Sequence, residues 1–162
     1  MNGLAAVDDP IKHLIGYIDP TGKFIIPPKY TDAGIFSEGF APAKINGKWG
    51  FINSGGNFFI QPKFEDIYIG FCNGLAPVKQ NGLWGYIDRD GTMIIEPQFD
   101  DADVFYCNVA LVLFIDGTFG YVNKAGKIVY QSKTPVKSKF EFKKMSNALI
   151  NYNIRIGREG DK

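Results

Sequence analysis

The chain has 162 residues, 18 Lys plus Arg against 17 Asp plus Glu, and a formal net charge of +1. Hydrophobic residues at 45% and aromatics at 15% exclude a disordered chain, and the near-zero charge gives no global field for nucleic acid. No apolar run approaches the roughly 20 residues of a membrane helix, and nineteen Gly and nine Pro disfavour long helices in favour of short strands and turns.

From Met1 to Pro10 no basic region precedes an apolar stretch, so no secretory signal is expected and a cytoplasmic location is. Ile15-Gly16, Trp49-Gly50, Trp84-Gly85 and Phe119-Gly120 fill one slot at spacings of 34, 35 and 35. Six residues after each slot glycine lies another: Gly22, Gly56, Gly91 and Gly126. After the first three come Pro28, Pro62 and Pro97, then the aromatics Tyr30, Phe64 and Phe99, then Asp32, Asp66 and Asp101. Such coincidence at one period is a tandem repeat of about 35 residues.

Each repeat reads as three short strands. Trp84 to Asp88 is an aromatic and β-branched run, strand A. Asp88-Arg89-Asp90-Gly91 is a tight turn, with an Asp or Asn to bond its own backbone and a glycine able to take positive φ. Thr92 to Ile95 returns as strand B, and Pro97, which cannot donate to a ladder, ends it or leaves it at an edge. Strand C resembles Leu75 to Lys79, or Val109 to Ile115, and Asn81-Gly82 or Asp116-Gly117 turns it into the next strand A. Gly3 to Val7 matches Gly39 to Ala43 and Gly74 to Val78, so the chain opens on a strand C and the unit is a C–A–B meander, present four times. An isolated meander cannot bury its apolar face, so neighbours must stack.

The pattern in Lys48-Trp49-Gly50-Phe51-Ile52-Asn53 and Leu83-Trp84-Gly85-Tyr86-Ile87-Asp88 resembles the bacterial WG-repeat family, also called the KWG repeat. The resemblance covers roughly residues 3 to 130, with Ile15 and Phe119 replacing tryptophan in the outer copies. It implies an all-β repeat module, often appended to other domains, with no catalytic activity general to the family.

The expected fold is therefore all-β. Four tandem three-stranded meander units of about 35 residues occupy 1–130, forming an open solenoid-like array or, as the alternative, a propeller-like ring. A basic C-terminal tail or capping segment occupies 131–162. From Lys133 to Lys162 eight basic residues oppose three acidic ones, whereas the body carries ten against fourteen, so the tail could fold back onto the body. Ile150, Tyr152, Ile154 and Ile156 alternate with polar residues, the period of a half-buried strand. A strand covering the last repeat's open edge is favoured over a basic arm for an anionic partner.

Residues suited to chemistry are sparse. His13 stands alone, without the second group a metal or nucleophile site needs. Cys72 and Cys107, 35 apart, take the same slot in adjacent repeats, as buried free thiols or as a disulfide or redox pair. Asp100, Asp101 and Asp103 cluster on one connection, but Thr31-Asp32 and Glu65-Asp66 are thinner, so turn and capping chemistry accounts for them better than calcium. No phosphate loop and no nucleophile elbow is present, and no metal or cofactor is expected. Trp49 and Trp84 fit packing between units better than a stacking platform, their glycine neighbours letting another backbone approach. Phe36, Phe71 and Tyr106 sit near the connections and, if exposed, would form a ridge at one-repeat spacing. With Asp66, Asp101 and Asp103 they are the candidate binding residues. The expectation is a non-catalytic protein–protein interaction module that scaffolds or neutralises a partner protein, with no nucleic acid or membrane partner. A glycan-binding repeat, or a hydrolase with a site between repeats, is the alternative.

Overall fold

The computed structural model of the chain describes residues 3–146. It is all-β, with four antiparallel sheets in tandem, none closed into a barrel. The first holds β1 (Ala5–Asp9), β2 (Leu14–Ile18) and β3 (Phe24–Tyr30). The second orders β4 (Asp32–Ala33), β5 (Ala41–Ile45), β6 (Lys48–Ile52) and β7 (Phe58–Phe64). The third runs β8 (Asp66–Ile67), β9 (Ala76–Gln80), β10 (Leu83–Ile87) and β11 (Met93–Phe99). The fourth runs β12 (Asp101–Ala102), β13 (Val109–Leu113), β14 (Phe119–Asn123) and β15 (Ile128–Gln131).

The C–A–B meander is present in every sheet, and three sheets gain a fourth strand that the sequence did not reveal. The connection leaving strand B crosses to the next sheet and lays two residues along its strand C. Thr31 N–H donates to the Lys44 carbonyl at 2.9 Å and Gly34 N–H to the Pro42 carbonyl at 2.9 Å. Two residues are too few to show a strand period, so a sequence pattern cannot announce them.

Turn chemistry explains the hairpins. Asn81 and Gly82 take φ of 53° and 79°, the pair of left-handed residues a two-residue hairpin turn requires. The Asn53 side chain accepts from the N–H groups of Gly55 and Asn57, at 3.0 and 3.1 Å, and so shapes the A–B turn. The expected two-residue turn at Asp116-Gly117 is instead a wider one. Phe114 N–H bonds the Thr118 carbonyl at 2.8 Å, because Asp116 uses its carboxylate on Thr118 and only Gly117 adopts positive φ.

Strand B does not end before its proline. In β7, Trp49 pairs with Phe64 and Phe51 with Ile60, so Gln61, Pro62 and Lys63 bulge where strand A spans one residue. The proline is tolerated because β7 is an edge strand and the bulge spares the missing donor. The bulge presses backbone onto the slot glycine. A Cβ on Gly50 would stand 2.5 Å from the Ile60 carbonyl oxygen and 2.8 Å from Pro62 N; Gly85 meets Ile95 and Pro97 at the same distances. Close approach, not positive φ, fixes glycine there.

Each sheet buries one face against the next. Tyr17, Ile26 and Tyr30 pack on Ala41, Ala43 and Ile52; Phe51, Ile60 and Phe64 pack on Ala76, Val78 and Ile87. Tyr86, Ile95 and Phe99 pack on Ala110, Val112 and Val122. Large side chains on the trailing face thus meet small ones on the leading face. The fourth sheet's trailing face is closed by a helix, α1 (139–146), which buries Phe142 against Leu111 and Leu113. The described segment that covers this face is helical; the alternating run 150–156, expected to form a strand along the last repeat's open edge, lies outside the described residues. Among the described residues no helix is long and apolar enough to cross a membrane.

Candidate functional site

The connections carry the residues singled out from the sequence, and the structure separates them. Phe36 lies against Tyr17 with ring centroids 5.0 Å apart, and Phe71 against Phe51 at 4.5 Å. In the fourth unit the equivalent ring is Phe105, 4.9 Å from Tyr86, not Tyr106. The isolated bridges Ser37–Phe40, Cys72–Leu75 and Tyr106–Val109 fix this register. The counterpart of Cys72 is therefore Tyr106, and Cys107 falls one residue outside the slot the 35-residue spacing assigned to it. The cause is one extra residue in the third unit: five steps separate Asp66 from Phe71, but four separate Asp32 from Phe36 and Asp101 from Phe105.

Phe71 is 1% exposed and Phe36 half-buried, so these rings staple one sheet to the next and form no open ridge. Tyr106 is half-buried, and burial pushes its phenol up to about 12. Cys72 is half-buried and Cys107 exposed, both free. Trp84, 7% exposed, belongs to the core between the third and fourth sheets, which removes it as a sugar-stacking surface. Trp49 is partly buried, with the Lys44 ammonium 5.7 Å from its ring centroid.

The three aspartates of the last connection meet α1. Lys139 Nζ donates to Asp100 at 2.7 Å, Lys143 Nζ to Asp101 at 2.8 Å, and the Ser146 hydroxyl to Asp103 at 2.6 Å. Lys143 also stands 4.3 Å over the Tyr68 ring. Asp103 is 2% exposed, and burial raises its carboxyl above the ordinary 3.8 even though Ser146 and the Val104 N–H bond it. All three of these acid contacts are made with the basic helix α1. Strand C differs here too: Pro42 and Lys44, Pro77 and Lys79, become Leu111 and Leu113, which receive Phe142. Asp66 stays exposed, its carboxylate capping its own Ile67 N–H at 2.9 Å, beside a cleft of about 330 Å³ lined by Tyr68, Lys79, Trp84 and Lys143. Among the described residues no three His, Cys, Asp or Glu side chains gather into a metal-holding group.

A different ridge emerges on strand B. Phe51 pairs with Ile60 but Ile52 with Phe58, leaving Phe59 unpaired in a second bulge. Ile25, Ile94 and Val129 hold the same position in their sheets. All four side chains are apolar and between 42% and 53% exposed. The sequence held the signal in Ile25-Ile26, Phe59-Ile60, Ile94-Ile95 and Val129-Tyr130: two adjacent apolar residues on an edge strand cannot both face the core.

Among curated proteins none matches the chain. Solved structures do, among them the crystal structure of the WD40 beta propeller domain of Doa1, at 9% identity and a TM-score of 0.43, over 80% of this chain and 54% of that one. The repeat described by the WG containing repeat model matches residues 15–49, 49–84 and 84–117, so each sequence repeat starts on strand A and runs to the next strand A or, in the third, to the turn before it, bridging two sheets. With these matches spanning most of the four-sheet body, the chain belongs to the WG containing repeat family.

Proposed function

We propose that the chain is a non-catalytic protein-interaction module that scaffolds or neutralises a partner protein. One observation carries this reading: Ile25, Phe59, Ile94 and Val129 present an exposed apolar side chain at the same bulge of every sheet. The neighbouring Ile26, Ile60 and Ile95 fill the core, and the bulge side chains lie outside it, Phe59 against the Phe40 ring at 5.0 Å. The bulge disrupts the edge ladder, which discourages strand-to-strand aggregation, while the side chain stays available to a partner. Repetition along a stacked array suits an extended protein surface touched at several equivalent points. A cytoplasmic setting belongs to the same proposal, and the two free thiols support it.

Purified full chain and a variant with Ile25→Ser, Phe59→Ser, Ile94→Ser and Val129→Ser are used as bait in native lysate, with mass spectrometry of what is retained. The expected result is a protein enriched by the parent and lost with the variant, confirmed by calorimetry with that protein purified. No enrichment, or enrichment from which the variant loses no protein, overturns the proposal.

A further inference from the structure

The three internal interfaces show what a leading face takes, and the first sheet carries the same face without an occupant among the described residues. Ala5, Val7, Ile18 and Phe24 stand where Ala41, Ala43, Ile52 and Phe58 stand in the second sheet. The second-sheet residues Ala41, Ala43 and Ile52 are fully buried, whereas Ala5 and Phe24 are exposed and Val7 and Ile18 half-buried. The A–B turn repeats the contrast. The Gly56 carbonyl accepts the Tyr30 hydroxyl at 2.6 Å and the Lys29 ammonium at 2.9 Å, and a Cβ there would stand 2.6 Å from Ile26. Gly91 and Gly126 likewise meet Ile60 and Ile95, but a Cβ on Gly22 would have nothing within 4 Å.

The outer edge of β1 is a second, independent vacancy. On β5, β9 and β13 that edge is filled by β4, β8 and β12. β1 pairs only with β2 among the described residues, and Ala6 and Asp8 hold the positions of the accepting carbonyls of Pro42 and Lys44.

One element fills both vacancies in every other sheet: strand B and its connection from the preceding unit. Its side chains are Ile, an aromatic four residues on, and Asp followed by Ala or Ile two beyond that. Ile26, Tyr30, Asp32 and Ala33 show it, as do Ile60, Phe64, Asp66 and Ile67, and Ile95, Phe99, Asp101 and Ala102. A second copy of this chain cannot supply it, because the fourth unit has Tyr130, Thr134 and Val136 there and α1 covers its trailing face.

We propose that the leading face and β1 edge of the first sheet form a docking surface for the trailing face of a WG-type unit carried by another protein, recognised by Ile, aromatic, Asp and Ala or Ile at these spacings. This surface is separate from the bulge ridge and does not rest on it.

The full chain carrying Ala5→Cys, Cys72→Ser and Cys107→Ser is labelled at its one thiol with a maleimide. Placing a copy of residues 39–73, itself carrying Cys72→Ser, directly before Gly3 preserves the Asn-Gly junction and supplies the motif. Labelling is expected to slow about tenfold or more, and to return to the ungrafted rate when the copied unit bears Ile60→Asp and Phe64→Asp. Equal rates with and without the intact graft overturn the proposal. So does faster labelling of the ungrafted chain on deleting residues 147–162, which assigns the face to its own tail, or a dimer in sedimentation that Ala5→Asp dissolves. In capture from native lysate, the expected partner carries the motif, is lost with Ala5→Asp and is retained by Phe59→Ser. Partners lacking the motif, or indifferent to Ala5→Asp, overturn it.

Discussion

The Tyr86 hydroxyl donates a 2.7 Å hydrogen bond to the main-chain carbonyl of Asp103, tying the third sheet to the connection that enters the fourth. Tyr17 makes the same bond to Gly34, also 2.7 Å. The middle unit has Phe51 at this position, with no hydroxyl, and there the connection is one residue longer. The extra length is taken up by Ile69 and Gly70, at φ of 43° and 132°. A β-branched residue at positive φ is rare, so this loop stores strain that the clamped loops do not. Burial also raises the Tyr86 phenol well above its ordinary range, so it remains a donor at any working pH. Tyr86→Phe leaves a buried carbonyl without a partner and is expected to cost about 1–2 kcal/mol in urea unfolding. Phe51→Tyr is expected to destabilise by about as much, because its new hydroxyl enters a site built for none. A neutral outcome for Tyr86→Phe would show the clamp to be incidental.

The slot glycine sets the closest backbone contact in each unit. Gly85→Ala places a Cβ 2.5 Å from the Ile95 carbonyl oxygen and 3.0 Å from the Glu96 carbonyl carbon, both backbone and unable to swing away. The expected loss is about 3 kcal/mol or more, by overpacking and a displaced β11. Gly82→Ala is the control: its surroundings are open but its φ is 79°, so only the left-handed conformation is penalised, by about 1–2 kcal/mol. Comparable losses for the two in chemical denaturation would refute the close-approach account.

Much of this architecture is legible in the sequence. Spacing alone located the hairpins, the phase of the unit and the packing role of the Trp-Gly pair, because these depend on residue types that recur. What escaped depends on geometry that does not recur in sequence. The two-residue strands Asp32–Ala33, Asp66–Ile67 and Asp101–Ala102 have no period to detect. Sequence spacing places Tyr106 where the structure has Phe105, because the residue inserted between Asp66 and Phe71 makes that glycine interval 35 and the wider turn at Asp116-Gly117 makes the next one 35 as well. The exposed bulge at Phe59 was hidden because an apolar pair reads as core until pairing shows which member is left out. The acid cluster at Asp100 to Asp103 and the opposite charge of the tail are both legible in the sequence. Their meeting through Lys139 and Lys143 needed the helix, which the strand-like period further along the tail obscured.

Asp103 makes the seating of α1 pH-dependent. Its folded pKa lies above the ordinary 3.8 because burial disfavours the charged form. The folded state then holds this proton more tightly than the unfolded chain, so its contribution to stability is greatest below 3.8 and falls as pH rises through the raised value. Asp103→Asn removes that titration while keeping groups that can bond Ser146 and Val104. Plotted against pH, the difference in stability between parent and variant is expected to move against the parent as pH rises across that window. A difference that stays flat would mean that Asp103 does not titrate apart from its unfolded state.

The helix also offers a direct test of the cap. Phe142 is fully buried against Leu111 and Leu113, whereas the ion pair of Lys143 with Asp101 is 35% exposed on the lysine side. Apolar burial therefore outweighs charge: removing a buried phenyl group costs about 3–5 kcal/mol, and a partly exposed ion pair is worth about 1 kcal/mol or less. The described part of the helix meets the fourth sheet through Phe142 and Met145, so Phe142→Ala is expected to release 139–146 while the four sheets stay folded. Limited proteolysis should then cut within this stretch at low protease, and hydrogen exchange should quicken there but not at β10, whose faces are buried by the second and fourth sheets. Lys143→Ala should leave the stretch largely protected. If Phe142→Ala instead unfolds the whole chain in one step, α1 is an integral part of the cooperative core and not a separable lid on its last sheet.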